Sequence, residues 1–153
     1  MTKIPDEFLF GRVFPVVRWV SDVDETSEHH ALSDYVESFW LPVLGPSTIL
    51  FVRFLARSLV LSPTGFDLDV AETARALGLS ERTGRHAPFM RTVSRAVDFA
   101  LIRFEDHGVL AARTRLPELT DGQLWRLPRS LRIAHLALRH REPRPEPVLR
   151  PSV

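Results

Sequence analysis

Residues 70–102 read VAETARALGLSERTGRHAPFMRTVSRAVDFALI, and their punctuation predicts two helices joined by a polar loop. Asp69 stands where an N-cap carboxylate accepts the first free N–H groups of a helix over Val70–Leu77. Gly78 follows in the C′ position, where a left-handed residue closes a helix. Ser80–Ala87 is polar. Pro88 suits the first position of the next helix, because an N–H there has no intrahelical partner to lose. Phe89, Val93, Ala96, Val97, Ala100 and Leu101 recur at helical spacing as a buried stripe. Arg91, Thr92, Ser94 and Arg95 fall on the opposite face.

Outward from this pair, Ser47 is the expected N-cap of a helix through Leu61, with Ile49, Val52, Phe54, Leu55 and Leu59 as its apolar positions. Ser62–Gly65 reads as a turn, and Phe66–Val70 alternates like a short half-buried strand. Ile102–Glu105 and Val109–Leu116 flank Asp106-His107-Gly108 and predict a β-hairpin. The order is helix, short strand, helix, loop, helix, hairpin: mainly α with a small β-hairpin, an α+β class. Residues 47–116 form this central domain. Residues 1–46 precede it as an N-terminal arm and helix. In that segment Phe8, Phe14, Val16, Val17, Trp19 and Val20 suit a short strand or extended arm, Ser21–Glu28 an acidic solvated loop, and Leu32–Leu41 a helix stopped by Pro42, Gly45 and Pro46. Residues 117–141 form a helical extension. Thr120 caps a short helix there, and Pro128 separates it from a basic helix, Arg129–Arg141, with Leu131, Ala134 and Leu138 inward. Residues 142–153 hold four prolines and predict an extended tail.

The whole chain has 153 residues, 44% hydrophobic and 25% charged, which excludes disordered and collagen-like classes. It has no cysteine, so disulfides, thiolate metal sites and cysteine nucleophiles are absent. One lysine stands against nineteen arginines, as a high-GC genome would give. The net charge of +1 hides a division: residues 1–81 carry 6 basic and 12 acidic side chains, residues 82–153 carry 14 and 7. A positive half of this kind suits a polyanionic partner.

Phe8–Val20 is interrupted by Arg12, Pro15 and Arg18 and lacks the form of a secretory signal. Trp40–Leu61 contains Arg53 and Arg57, each costing about 2.5–3.5 kcal/mol at a bilayer centre, so it reads as a buried amphipathic helix. No membrane partner is expected, and the expected location is the cytoplasm. No G-x-S-x-G, Walker A or G-x-G-x-x-G pattern occurs, so neither an enzyme nor a cofactor is expected. His29 and His30, near Glu25 and Glu28, do not form a recognisable ligand set and read as part of a solvated loop. His107 reads as a turn residue and His135 as a helix-surface residue. Trp19 and Trp125 read as core, with anchoring of a partner chain as their other use.

Val70–Ser80 (VAETARALGLS) resembles the second helix and turn of many bacterial regulators, and Thr92–Ile102 (TVSRAVDFALI) resembles a recognition helix, followed by the Arg103–Arg115 hairpin as a wing. The stretch is similar to winged helix-turn-helix DNA-binding proteins, and the chain also resembles uncharacterised winged-helix proteins of high-GC actinobacteria. The resemblance implies binding of double-stranded DNA as a sequence-selective transcription regulator, with the recognition helix within residues 88–104. It places Arg85, His86, Arg91, Ser94 and Arg95 at the major groove, where arginine pairs bidentately with guanine. Arg82, Arg113 and Arg115 would lie on phosphates. A homodimer is expected, since one module covers a half-site. Two features depart from the pattern: the linker Leu79–Ala87 is long, and the wing tip Glu105-Asp106 is acidic. These suit the alternative reading, a winged-helix adaptor whose partner is another protein.

Overall fold

The structure, a computed structural model, describes residues 4–20 and 28–140. In chain order it forms α1 (Asp6–Leu9), β1 (Val13–Arg18), β2 (Glu28–His30) and a π-helical turn (Val36–Trp40) running into α2 (Leu41–Leu44). There follow α3 (Pro46–Leu61), β3 (Phe66–Asp69), α4 (Val70–Ala76), α5 (Pro88–Asp98), β4 (Ile102–Glu105) and β5 (Val109–Ala112). β6 (Arg115–Pro117), α6 (Asp121–Leu124) and α7 (Arg129–Arg139) complete a mixed α and β chain. The acidic stretch 21–27, which includes Glu25, lies outside the described residues, as do Arg141 and the proline-rich tail.

Local signals set most of the boundaries. The Asp69 carboxylate accepts the Glu72 N–H at 2.8 Å, starting α4. At its other end the Leu79 N–H returns to the Ala74 carbonyl and the Gly78 N–H to Arg75, with Gly78 at φ +74°. This is a Schellman closure, in which a left-handed residue satisfies the last free carbonyls. The end of α5 repeats it with Ala100, φ +55°, in glycine's place: Leu101 N–H reaches Ala96 and Ala100 N–H reaches Val97. α5 therefore stops at Asp98, short of the expected limit at 104, and residues 102–105 belong to the hairpin instead.

Two helix-end expectations and the facing of one side chain are corrected. Ser47 does not cap α3; Gly45, φ +84°, occupies the N-cap, Pro46 enters the first turn, and no side chain caps the helix. The helix expected to end at Leu41 runs on to Leu44, because Pro42 falls in the first turn of α2, where no N–H is needed. Thr92 does not face outward: it is buried, and its hydroxyl donates to Ser47 Oγ at 3.1 Å.

The N-terminal arm is an inner strand of the main sheet. The strand order is β3-β1-β5-β4, with β1 antiparallel to β3 and parallel to β5. Pro15 is tolerated there because the pairing is staggered. At Pro15 only Asp67 of β3 lies alongside, and pairing with β5 begins at Val16. The Arg12 carbonyl accepts the Val70 N–H, so even-numbered residues turn their polar groups to β3 and Pro15 turns its nitrogen to the unpaired side. A second pair, β2 with β6, is antiparallel through His29↔Leu116.

Alternation along β1 sends Phe14 and Val16 into the core. Phe14 meets Phe8 of α1 at 5.4 Å between ring centroids and Phe104 of β4 at 5.7 Å. Phe8 meets Phe104 at 5.2 Å, and Phe51 of α3 meets Phe89 of α5 at 5.2 Å. These edge-to-face contacts bind arm, hairpin and helices into one core. Arg53 explains one charge inside the apolar run of α3: its guanidinium donates to the Ala31 and Ser33 carbonyls at 3.3 and 3.4 Å. No described helix is long and apolar enough to cross a membrane.

In α7 the inward stripe differs from the one expected. His135 is fully buried, whereas Ala134 and Leu138 are exposed. The reason is a polar partner inside: Tyr35 Oη lies 2.7 Å from His135 Nε2. His29 is likewise held in β2, its ring stacked on Tyr35 at 3.7 Å, rather than lying in a solvated loop.

Candidate nucleic-acid interface

The amphipathic pattern of α5 buries Phe89, Met90, Val93 and Ala96 and turns Arg91, Ser94 and Arg95 outward. Beside that face runs an open groove of about 650 Å3, bounded across from α5 by the turn between α2 and α3. Gly45, Ser47, Arg85, Arg91, Ser94 and Arg95 line it. The uncapped N-terminal turn of α3 adds its partial positive charge.

The guanidiniums here differ in their commitments. Arg95 donates to the Val43 carbonyl at 2.9 Å and lies 5.8 Å from the Phe99 ring centroid, so it ties α5 to α2. Arg85 and Arg91 are exposed and have no carboxylate partner among the described residues. Asp98 is the acidic member of the lining. Arg82 and His86 are exposed on the loop before α5. Four of the eight candidates from the sequence therefore share one groove, and two stand on the adjoining loop.

Arg113 and Arg115 belong to a different place. Arg113 Nε donates to the Ala100 carbonyl at 2.8 Å, its guanidinium lies 4.1 Å from the Trp19 ring centroid, and its Nη1 is 3.8 Å from Glu28. Arg103 lies 4.4 Å from the same ring, so two guanidiniums hold Trp19. Arg115 donates to the Glu28 carbonyl at 3.4 Å. Both candidates spend their donors fastening β2 and the arm. At the wing tip Asp106 and His107 are exposed, while Glu105 pairs with Arg103 at 2.6 Å.

Sequence reasoning missed the contribution of Gly45 and Ser47. Their signal was present in Gly45-Pro46-Ser47, but it reads as a helix stop and a helix cap until α2 and α5 are seen to face each other.

A second constellation is buried. Tyr35 accepts the Leu119 N–H at 3.0 Å and so has its O–H free for His135 Nε2. His135 Nδ1 is buried without a partner. Burial holds His135 and His29 below the ordinary imidazole pKa and raises Tyr35 above the ordinary phenol value. His135 has no exposed surface, so the cluster fastens α7 to the body. Among the described residues no group of three His, Cys, Asp or Glu side chains is placed to hold a metal ion.

The chain matches no family model, no curated protein and no solved structure.

Proposed function

We propose that the chain is a winged-helix protein that binds double-stranded DNA through α5, acting as a sequence-selective, cytoplasmic transcription regulator. The observation that carries this reading is the pair Arg91, beside Ser94 on the outward face of α5, and Arg85, on the loop just before it, both without a carboxylate partner among the described residues. Arginines with idle N–H donors on a helix face suit guanine edges and phosphate oxygens. In this reading Arg91 and Ser94 meet base edges. Arg82, Arg85 and His86 meet phosphates, and Arg95, oriented by Val43, offers its remaining donors to the backbone. The succession α3, β3, α4, α5 and the β4–β5 hairpin supports the winged-helix assignment, with β1 added between β3 and β5. Two copies on adjacent half-sites would supply the sequence length that one module lacks.

Selection of duplexes from a random-sequence pool, followed by titration of the recovered site, tests the proposal. Arg91→Ala should weaken the preferred site by about 1–3 kcal/mol and leave unrelated duplex little changed. Equal loss on every duplex would move Arg91 to the phosphates. Failure to enrich any sequence would remove the sequence-selective part.

The adaptor reading draws on a different observation, the exposed apolar face of α7.

A further inference from the structure

α7 buries only His135 against the body. Its outer side leaves Ile133 56% and Leu136 50% exposed, and Trp125, just after α6, is 74% exposed. Trp125, Ile133 and Leu136, three large apolar side chains on two short neighbouring elements, line one groove and form a patch, not the scattered single exposures of ordinary surfaces. Between α6 and α7 the patch sinks into a groove of about 530 Å3, floored by Leu124, Trp125, Ile133 and Leu136.

The charge around this groove is predominantly positive: Arg129, Arg132 and Arg139 line it against one carboxylate, Asp121. Residues 122–140 contain four arginines, at 126, 129, 132 and 139, and no aspartate or glutamate. Arg139 is engaged, 3.6 Å from Asp121 and 3.9 Å from Glu118. Arg132 rests over Trp125, 5.2 Å from the ring centroid. Arg126, Arg129 and Arg132 have no carboxylate partner among the described residues.

We propose that the α6–α7 groove docks an acidic amphipathic segment of a partner protein, whose aliphatic or aromatic side chains enter beside Trp125, Ile133 and Leu136 while its carboxylates meet Arg129 and Arg132. Apolar floor and cationic rim are the two halves of a helix-in-groove site for such a segment. A second copy fits less well, because two-fold pairing of this face sets Arg129 and Arg132 against their own equivalents, and the one carboxylate of the lining, Asp121, is already paired with Arg139. The chain's residues 142–153 hold two arginines and two glutamates, so they do not supply the acidic character. A nucleic-acid backbone would pair with the arginines but leave the isoleucine and leucine in water. The proposal is independent of DNA binding by α5.

The test selects displayed random 12-residue peptides on the full chain, then measures synthetic copies of the winners by fluorescence anisotropy. The enriched peptides should carry apolar residues three or four apart with aspartate or glutamate between them. Trp125→Ala, and Arg129→Glu with Arg132→Glu, should each weaken binding by about tenfold or more, as loss of central anchors does. Both sets alter surface side chains, and an unchanged circular dichroism melt separates lost docking from lost folding. Several outcomes would overturn the proposal. One is no enrichment; another is peptides that bind the charge-reversed chain equally well. A solution dimer that Ile133→Asp converts to monomer would give the face to a second copy. Binding to phosphatidylglycerol vesicles that the same variants abolish would give it to a lipid surface. Duplex binding lost in the Arg129/Arg132 variant, with no peptide bound, would give it to nucleic acid.

Discussion

The Tyr35 hydroxyl and the His135 imidazole, 100 residues apart in sequence, meet at 2.7 Å and join the π-helical region to α7. The contact is made by neutral groups, because burial disfavours the imidazolium at both His135 and His29.

This gives stability a pH dependence of definite sign. A histidine whose folded pKa is depressed binds fewer protons in the native state than in the unfolded one. Its contribution is fully present above the ordinary value of 6.5 and is lost as pH falls below it. The melting temperature should hold between about pH 8 and about pH 7, then decline toward about pH 5. In His135→Phe, which keeps a ring against Phe39, the decline should be shallower. Parallel pH profiles for the two chains would show that His135 is not its source.

Two matched helix ends make a second prediction. Gly78 and Ala100 occupy the same left-handed position in successive Schellman closures. Ala100→Gly should stabilise the fold by about 0.5–1 kcal/mol, the relief of Cβ crowding less the added chain entropy. Gly78→Ala should destabilise it by about 1 kcal/mol. Urea unfolding of both variants reads the difference, and equal signs would refute the comparison.

The arm is structural, and this is measurable. Phe14 is buried where β1 lies between β3 and β5, so Phe14→Ala should cost about 3–5 kcal/mol. Removal of residues 1–20 should abolish cooperative unfolding, since β3 and β5 lose the strand between them. A truncated chain that still melts cooperatively would make the arm an appendage.

The reach of the sequence follows from the range of the forces involved. Asp69, Gly78, Pro88, Thr120 and the Asp106–Gly108 turn act within a few residues, and they mark α4, the starts of α5 and α6, and the hairpin turn where expected. The second hairpin strand, expected through Leu116, ends at Ala112, and Arg115–Pro117 pairs with β2 instead. β1 was ambiguous because its partners, β3 and β5, lie about 50 and 95 residues away, and Pro15 argues against an inner strand until the stagger is known. Thr92 and His135 were read outward because they are polar; Ser47 and Tyr35, the partners that draw them inward, are distant in sequence. The same blindness affected the site. Arg85, Arg91, Ser94 and Arg95 were legible from one helix and its preceding loop. Arg113 and Arg115 looked equally available until Trp19, Ala100 and Glu28 were seen to occupy them.

The central claim is that α5 binds duplex DNA through idle arginines, and salt dependence tests it most directly. Mixed-sequence duplex titrated with the full chain at two salt concentrations should bind at low salt and weaken with a log–log slope near −0.9 per neutralised phosphate. Arg85→Ala should flatten that slope by about one. Absence of binding at low salt, or a slope untouched by Arg85→Ala together with Arg91→Ala, would contradict the account.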